Sequence, residues 1–215
     1  WSGFSLSIHQ VVQSVLLVCY LVLFRPHKSG TWSGFSLSSS LFELQPLLLY
    51  IRLGVGGILS SGEWIWWELI SLFIGTMGVT ALSAHTIAIQ FIMLTFMIPY
   101  GAGSALSIRL GSTLPQNPTR AKKLALWSSL IMILFLALLS IVFYIQRDSI
   151  FAIFITKTNL EVLRTTEMIW WKVVLHHFIL GIYGIFHGIA VSLGMQWILG
   201  IANIIIFWMI ALPGL

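Results

Sequence analysis

Six apolar runs, at roughly 8–24, 53–74, 81–106, 124–146, 168–190 and 194–213, take up most of this chain. A helix of about 20 residues crosses the hydrocarbon core of a bilayer. The pattern therefore predicts an all-α integral membrane protein with about six transmembrane helices, the first of them short. Ten-residue segments of alternating polarity separated by turns are absent, which argues against a transmembrane barrel. Composition agrees: 8% of the residues are charged and 58% hydrophobic, against about 25% charged in soluble domains.

The net charge of +5 is spread over short loops. A basic patch is what nucleic-acid binding requires, so no nucleic-acid partner is expected. Cys19, the single cysteine, lies in an apolar run and leaves neither an internal disulfide nor a cysteine metal cluster. No signal peptide is legible at Trp-Ser-Gly-Phe, and a start at Trp1 without methionine is expected of a partial chain. Residues 1–7, WSGFSLS, recur at 32–38. The hydrophobic pattern between them does not repeat, so this is no solenoid period, and no function attaches to it.

The loops set an orientation. Arg25, His27, Lys28 and Arg52 stand in 25–52 against Glu43 alone, and Arg109, Arg120, Lys122 and Lys123 stand in 107–123. Positive loops stay cytoplasmic, which places both inside and the uncharged turn 75–80 outside. The segment 147–167 is then external, although Arg147, Lys157 and Arg164 accompany Asp148, Glu161 and Glu167 there.

Within the second run, Glu63-Trp-Ile-Trp-Trp-Glu68 carries two carboxylates. An acid at the centre of a membrane helix costs about 2.5–3.5 kcal/mol on insertion scales and marks a functional site by default. Glu68 lies within ~9 Å of the outer end of the run, at 1.5 Å per residue, and can reach the headgroups. Glu63 is too deep for that. Trp66 and Trp67, at i+3 and i+4, share its helix face. A carboxylate beside aromatic rings suits an organic cation through charge and cation–π contact worth ~0.5–2 kcal/mol. Burial disfavours the charged form of a carboxyl, so the same place suits a proton. Trp64 and Trp66 are expected to face protein, and Trp67 fits a cavity wall or an interfacial belt equally well.

Gln90 sits mid-helix with Thr86, Met93, Met97 and Tyr100 nearby, as a cavity lining or as packing. Pro99 with Gly101 and Gly103 predicts a bend. Gly181, Gly184 and Gly188 form a small-residue face for helix contact. His176, His177 and His187 have no accompanying carboxylate and give no metal face.

From Trp32 onward the ordered pieces resemble a family. Trp32-Ser-Gly-Phe-Ser36, the acids Glu63 and Glu68, Ala81-Leu-Ser-Ala84 with Met97-Ile-Pro99, Ser107-Ile-Arg109-Leu-Gly111, and Gly188 with Gly194-Met-Gln196, Asn203 and Pro213 are together similar to the C-terminal half of multidrug and toxic compound extrusion (MATE) transporters. The resemblance implies two six-helix lobes around a central cavity. It assigns 1–24 to the last helix of the N-terminal lobe, 25–52 to a cytoplasmic inter-lobe loop and 53–215 to a truncated C-terminal lobe. The rest of the N-terminal lobe is then a missing partner. Gln90 and Leu180 stand where animal-type members carry glutamates, and Val191 where they carry an arginine.

The resemblance implies a secondary antiporter, in a plasma or organelle membrane, that exports organic cations or other xenobiotics in exchange for protons or sodium, without a cofactor. Its substrate- and proton-binding residues would be Glu63, Glu68, Trp66, Trp67 and Gln90. Sodium wants several oxygen ligands, and Ser60, Ser61, Glu68 and Gln90 are the few at hand, so a proton is the expected coupling ion. A lipid-intermediate flippase and a non-transporting fragment are the alternatives. No partnered nucleophile accompanies the histidines, which argues against an enzyme.

Overall fold

The computed structural model describes residues 2–24, 44–155 and 159–214. Among them there is no strand. The helices are α1 (Ser2–Phe24), α2 (Leu44–Ser60), α3 (Glu63–Gly75), α4 (Val79–Thr113), α5 (Pro118–Ile145), α6 (Arg147–Phe154), α7 (Leu160–Ser192) and α8 (Gln196–Asn203). The last runs on as a π-helical stretch, Ile204–Ala211. Among the described residues, five stretches are long and apolar enough to cross a membrane: Ser7–Phe24, Leu44–Gly75, Val79–Thr113, Pro118–Ile145 and Leu160–Ser192. The sixth apolar run is the shorter Gln196–Ala211.

Two compact units divide the chain, Trp1–Ile51 and Arg52–Leu215. The first holds α1 and the opening turns of α2. The connection expected at 25–52 is helical from Leu44, and its earlier part lies outside the described residues. The motif Trp32–Ser36, together with Arg25, His27, Lys28 and Glu43, lies outside the described residues, as does Lys157. Most of the segment 147–167, expected as a loop, is helical in α6 and the first turns of α7. Phe151 explains the extra helix: it is buried with its ring 4.8 Å from that of Trp170.

In the second unit α4 and α7 pair along their length. Lipid tails are as apolar as leucine, so helices in a bilayer associate through close packing of small residues. A Cβ added at Gly188 would strike the Gly103 carbonyl, and one at Gly103 the Gly184 carbonyl. Gly181 does the same for α5, where an added Cβ would sit 2.7 Å from Leu136. The small-residue face read from the sequence is therefore the contact surface of α7. Helix α4 continues through the buried Pro99, close beside Gly184.

Two apolar clusters lock the pair. Near one end Phe91, Phe151, Trp170 and Val173 pack together, and the Trp170 indole donates to the Phe143 carbonyl at 3.1 Å. Towards the other end Leu106, Leu110, Ala121 and Ile185 join α4, α5 and α7. Helix α5 starts where Pro118 follows the cap Asn117, whose side chain accepts from the Arg120 amide at 2.9 Å.

Candidate functional site

The run 53–74 is not one helix. It tightens at Ser61–Gly62, where the Gly62 amide donates to the Leu59 carbonyl at 3.2 Å and the Trp64 amide to the Ser61 carbonyl at 3.2 Å. The Ser60 carbonyl thereby loses its helical partner. Asn203 of α8 takes its place, its side-chain amide donating at 2.8 Å from 143 residues away. A buried backbone carbonyl must find a partner in an apolar medium, and the asparagine supplies one.

Glu63 opens α3 immediately after this tightening. In the first turn of a helix the free amides and the macrodipole favour a carboxylate, which offsets part of its desolvation. The side chain is buried, at 9% exposure, so it faces protein rather than lipid. Tyr183 of α7 brings its hydroxyl beside the Glu63 carboxyl and also faces Asn203, without closing a short hydrogen bond to either. The Tyr183 ring also leans on His187, with centroids 5.7 Å apart. Three helices thus meet at one acid.

The tryptophans of α3 divide among its neighbours. Trp66 is buried and stacks on Phe207 at 5.6 Å, with Trp208 at 6.3 Å edge-on. Trp67 is half-buried, its ring 5.0 Å from His176 of α7. Trp64, expected to face protein, is 37% exposed with one side towards Phe96 of α4 at 6.5 Å. One turn further on, Ser71 and the His85 imidazole lie 3.1 Å apart. Glu63, Trp66 and Trp67 therefore share the inward side of α3. Glu68 is exposed, as five residues at ~100° each put it ~140° round the helix from Glu63. Gln90 is also exposed on α4.

Of the nearby oxygens, the Ser60 hydroxyl is engaged with its own backbone, donating to the Gly57 carbonyl at 2.8 Å. Asp148, Glu161 and Glu167 are exposed. A cavity of ≈ 250 Å³ opens between α4 and α7, lined by Tyr100, Ser104, Ser107 and His187 among others. The sequence reading overlooked Tyr183 altogether and noted Asn203 only as part of a motif. Both carried a signal, since polar side chains in apolar runs are glue between membrane helices.

Comparison with known proteins gives this arrangement a context. The MatE family model matches residues 58–214, well over half of the chain. Multidrug and toxin extrusion protein 1 of Homo sapiens is 26% identical over 208 residues, covering 96% of this chain and 35% of the relative. Multidrug and toxin extrusion protein 2 of Oryctolagus cuniculus is 27% identical over 221 residues, covering 99% and 34%. The chain thus spans about a third of the length of these relatives. No solved structure matches the chain significantly. With its paired α4–α7 core, its buried Glu63 and a family match that includes both, this chain belongs to the MatE family.

Proposed function

We propose that this chain forms the C-terminal lobe of a membrane exporter that expels organic cations and takes up protons in return. The observation that carries the reading is Glu63, a buried carboxyl within a membrane-spanning stretch. The names of the relatives point to toxic compounds as cargo, and a second lobe would complete the cavity. Proton and cation compete for one carboxylate in this scheme. Taking up a proton removes the anion that holds the cation, and losing it restores the site. Trp66, Trp67, Glu68 and Gln90 are the further residues we assign to substrate and proton handling. Tyr183 joins them as the hydroxyl facing Glu63.

The surroundings favour a proton over sodium. Hard cations want several converging oxygens, whereas Glu68 and Gln90 are exposed and the Ser60 hydroxyl is already committed. The test is efflux of a quaternary ammonium dye from vesicles carrying the full-length transporter, with and without a pH gradient and with and without sodium. Glu63→Gln keeps volume and hydrogen bonding but removes the titratable charge. It should abolish gradient-driven transport while leaving insertion intact. Normal transport with normal pH dependence in that variant would show Glu63 to be structural, and transport that follows sodium but ignores pH would reverse the assignment of the ion.

A further inference from the structure

We propose that the cleft between α4 and α5 binds one anionic phospholipid, with its acyl chain against α4 and α5 and its headgroup at the basic turn joining them. The cleft has a volume of ≈ 410 Å³, within the ~300–1,000 Å³ of ligand pockets. Leu106 and Ile185, both buried, contribute to its floor. Ala105 leaves room where a larger residue would fill the space, Ile131 stands opposite on α5, and Arg109 and Ser128 are its polar members. An apolar trough with one cation suits an amphiphile rather than a free anion.

Charge selects the headgroup. No acid occurs between Glu68 and Asp148, while Arg109, Arg120, Lys122 and Lys123 all fall in that interval. All four are exposed, and among the described residues none is paired with a carboxylate. The apolar cluster of Leu106, Leu110, Ala121 and Ile185 holds the first turn of α5 against the Arg109 end of α4, so the four cations share one end of the cleft. Arg120, Lys122 and Lys123 also stand in the opening turns of α5, where the helix dipole disfavours positive charge. Their own helix gives no reason for them to be there, whereas a phosphate does. Basic pockets between membrane helices on the cytoplasmic side recognise acidic headgroups, and the positive-inside rule places this end there.

The experiment is native mass spectrometry of the full-length protein, released from micelles containing equal amounts of phosphatidylglycerol and phosphatidylcholine. The protein should retain phosphatidylglycerol preferentially. Arg109→Gln should lower that retention about fivefold, the effect of one basic residue near an acidic surface, without changing phosphatidylcholine. Ala105→Phe and, from the other helix, Ser128→Phe should each block the trough and remove bound lipid of both kinds. Arg147→Gln, at the start of α6 just beyond the far end of α5, should change nothing. Equal retention of the two lipids by the unaltered protein overturns the proposal, as does retention indifferent to both trough-filling changes. Displacement of phosphatidylglycerol by millimolar inorganic phosphate would also overturn it, reducing the site to a free-anion site. Bound lipid is read directly, so a failure here leaves the transport reading standing, and the reverse holds too.

Discussion

Helices α5 and α7 have nearly opposite fates. The most apolar 18-residue window of α5 has a mean hydropathy of 2.6, yet only 11% of it is buried within the protein. The most apolar 18-residue window of α7 has a mean hydropathy of 1.6, and 39% of it is buried. In water the greasier helix would take the core. In a bilayer the lipid solvates leucine as well as protein does, so hydropathy no longer ranks burial. What draws α7 inward is what it cannot show to lipid: the fully buried Thr166 and His177 and the glycines that let α4 approach. What leaves α5 outside is an array of leucines and isoleucines for which lipid is good company, such as Ile131, Leu134 and Leu138, each more than 60% exposed.

Substitutions can break that contrast. The largest effect is expected at Gly188. Gly188→Leu drives a side chain into the Gly103 backbone, an overpacking that side-chain adjustment cannot relieve. It should cost upwards of about 3 kcal/mol and abolish a monodisperse detergent peak on size-exclusion chromatography. Gly101→Leu, on the same α4 but with nothing within 4 Å, should elute normally.

Next come the tryptophans of the two helices. Trp170→Ala on α7 removes a ring that is 1% exposed and should cost about 3 kcal/mol in thermal denaturation followed by tryptophan fluorescence. Trp170→Phe, which loses the bond to the Phe143 carbonyl, should cost about 1 kcal/mol. Trp127→Ala on α5, 60% exposed, should be close to neutral. Smallest is Leu138→Ala on α5, expected within about 0.5 kcal/mol in the same assay. A large loss there would mean that α5 is covered by protein rather than lipid.

The membrane spans and the glycine face were open to reading, because hydropathy and small-residue spacing act over a whole helix. Local departures were not. The tightening at Ser61–Gly62 is hidden inside an uncharged apolar run, and only the Ser-Ser-Gly triplet hints at it. Helix α6 was hidden by its charged start, Arg147-Asp148, which reads as a solvated loop until Phe151 is seen against Trp170. Glu63 and Glu68 were read as a pair from their proximity in sequence, although a ~140° turn between them puts one inside and one outside. Tyr183 became part of the site only through a meeting of α3, α7 and α8 that no single segment encodes.

That meeting also bears on how the protein is made. The bond from Asn203 to the Ser60 carbonyl spans 143 residues, and that from the Trp197 indole to the Arg52 carbonyl, at 3.1 Å, spans 145. A ribosome delivers α2 and α3 to the membrane long before α8 exists. During that interval the Ser60 carbonyl lacks its amide and Trp66 lacks Phe207, and Glu63 lacks Tyr183 until α7 is made. Until synthesis passes Phe207 the acid-bearing segment therefore lacks the partners that α8 and the stretch after it supply in the finished protein. A quality-control factor that recognises polar groups stranded in the membrane would find its clearest target in this nascent intermediate, and arrival of the last apolar segment would be the event that conceals it.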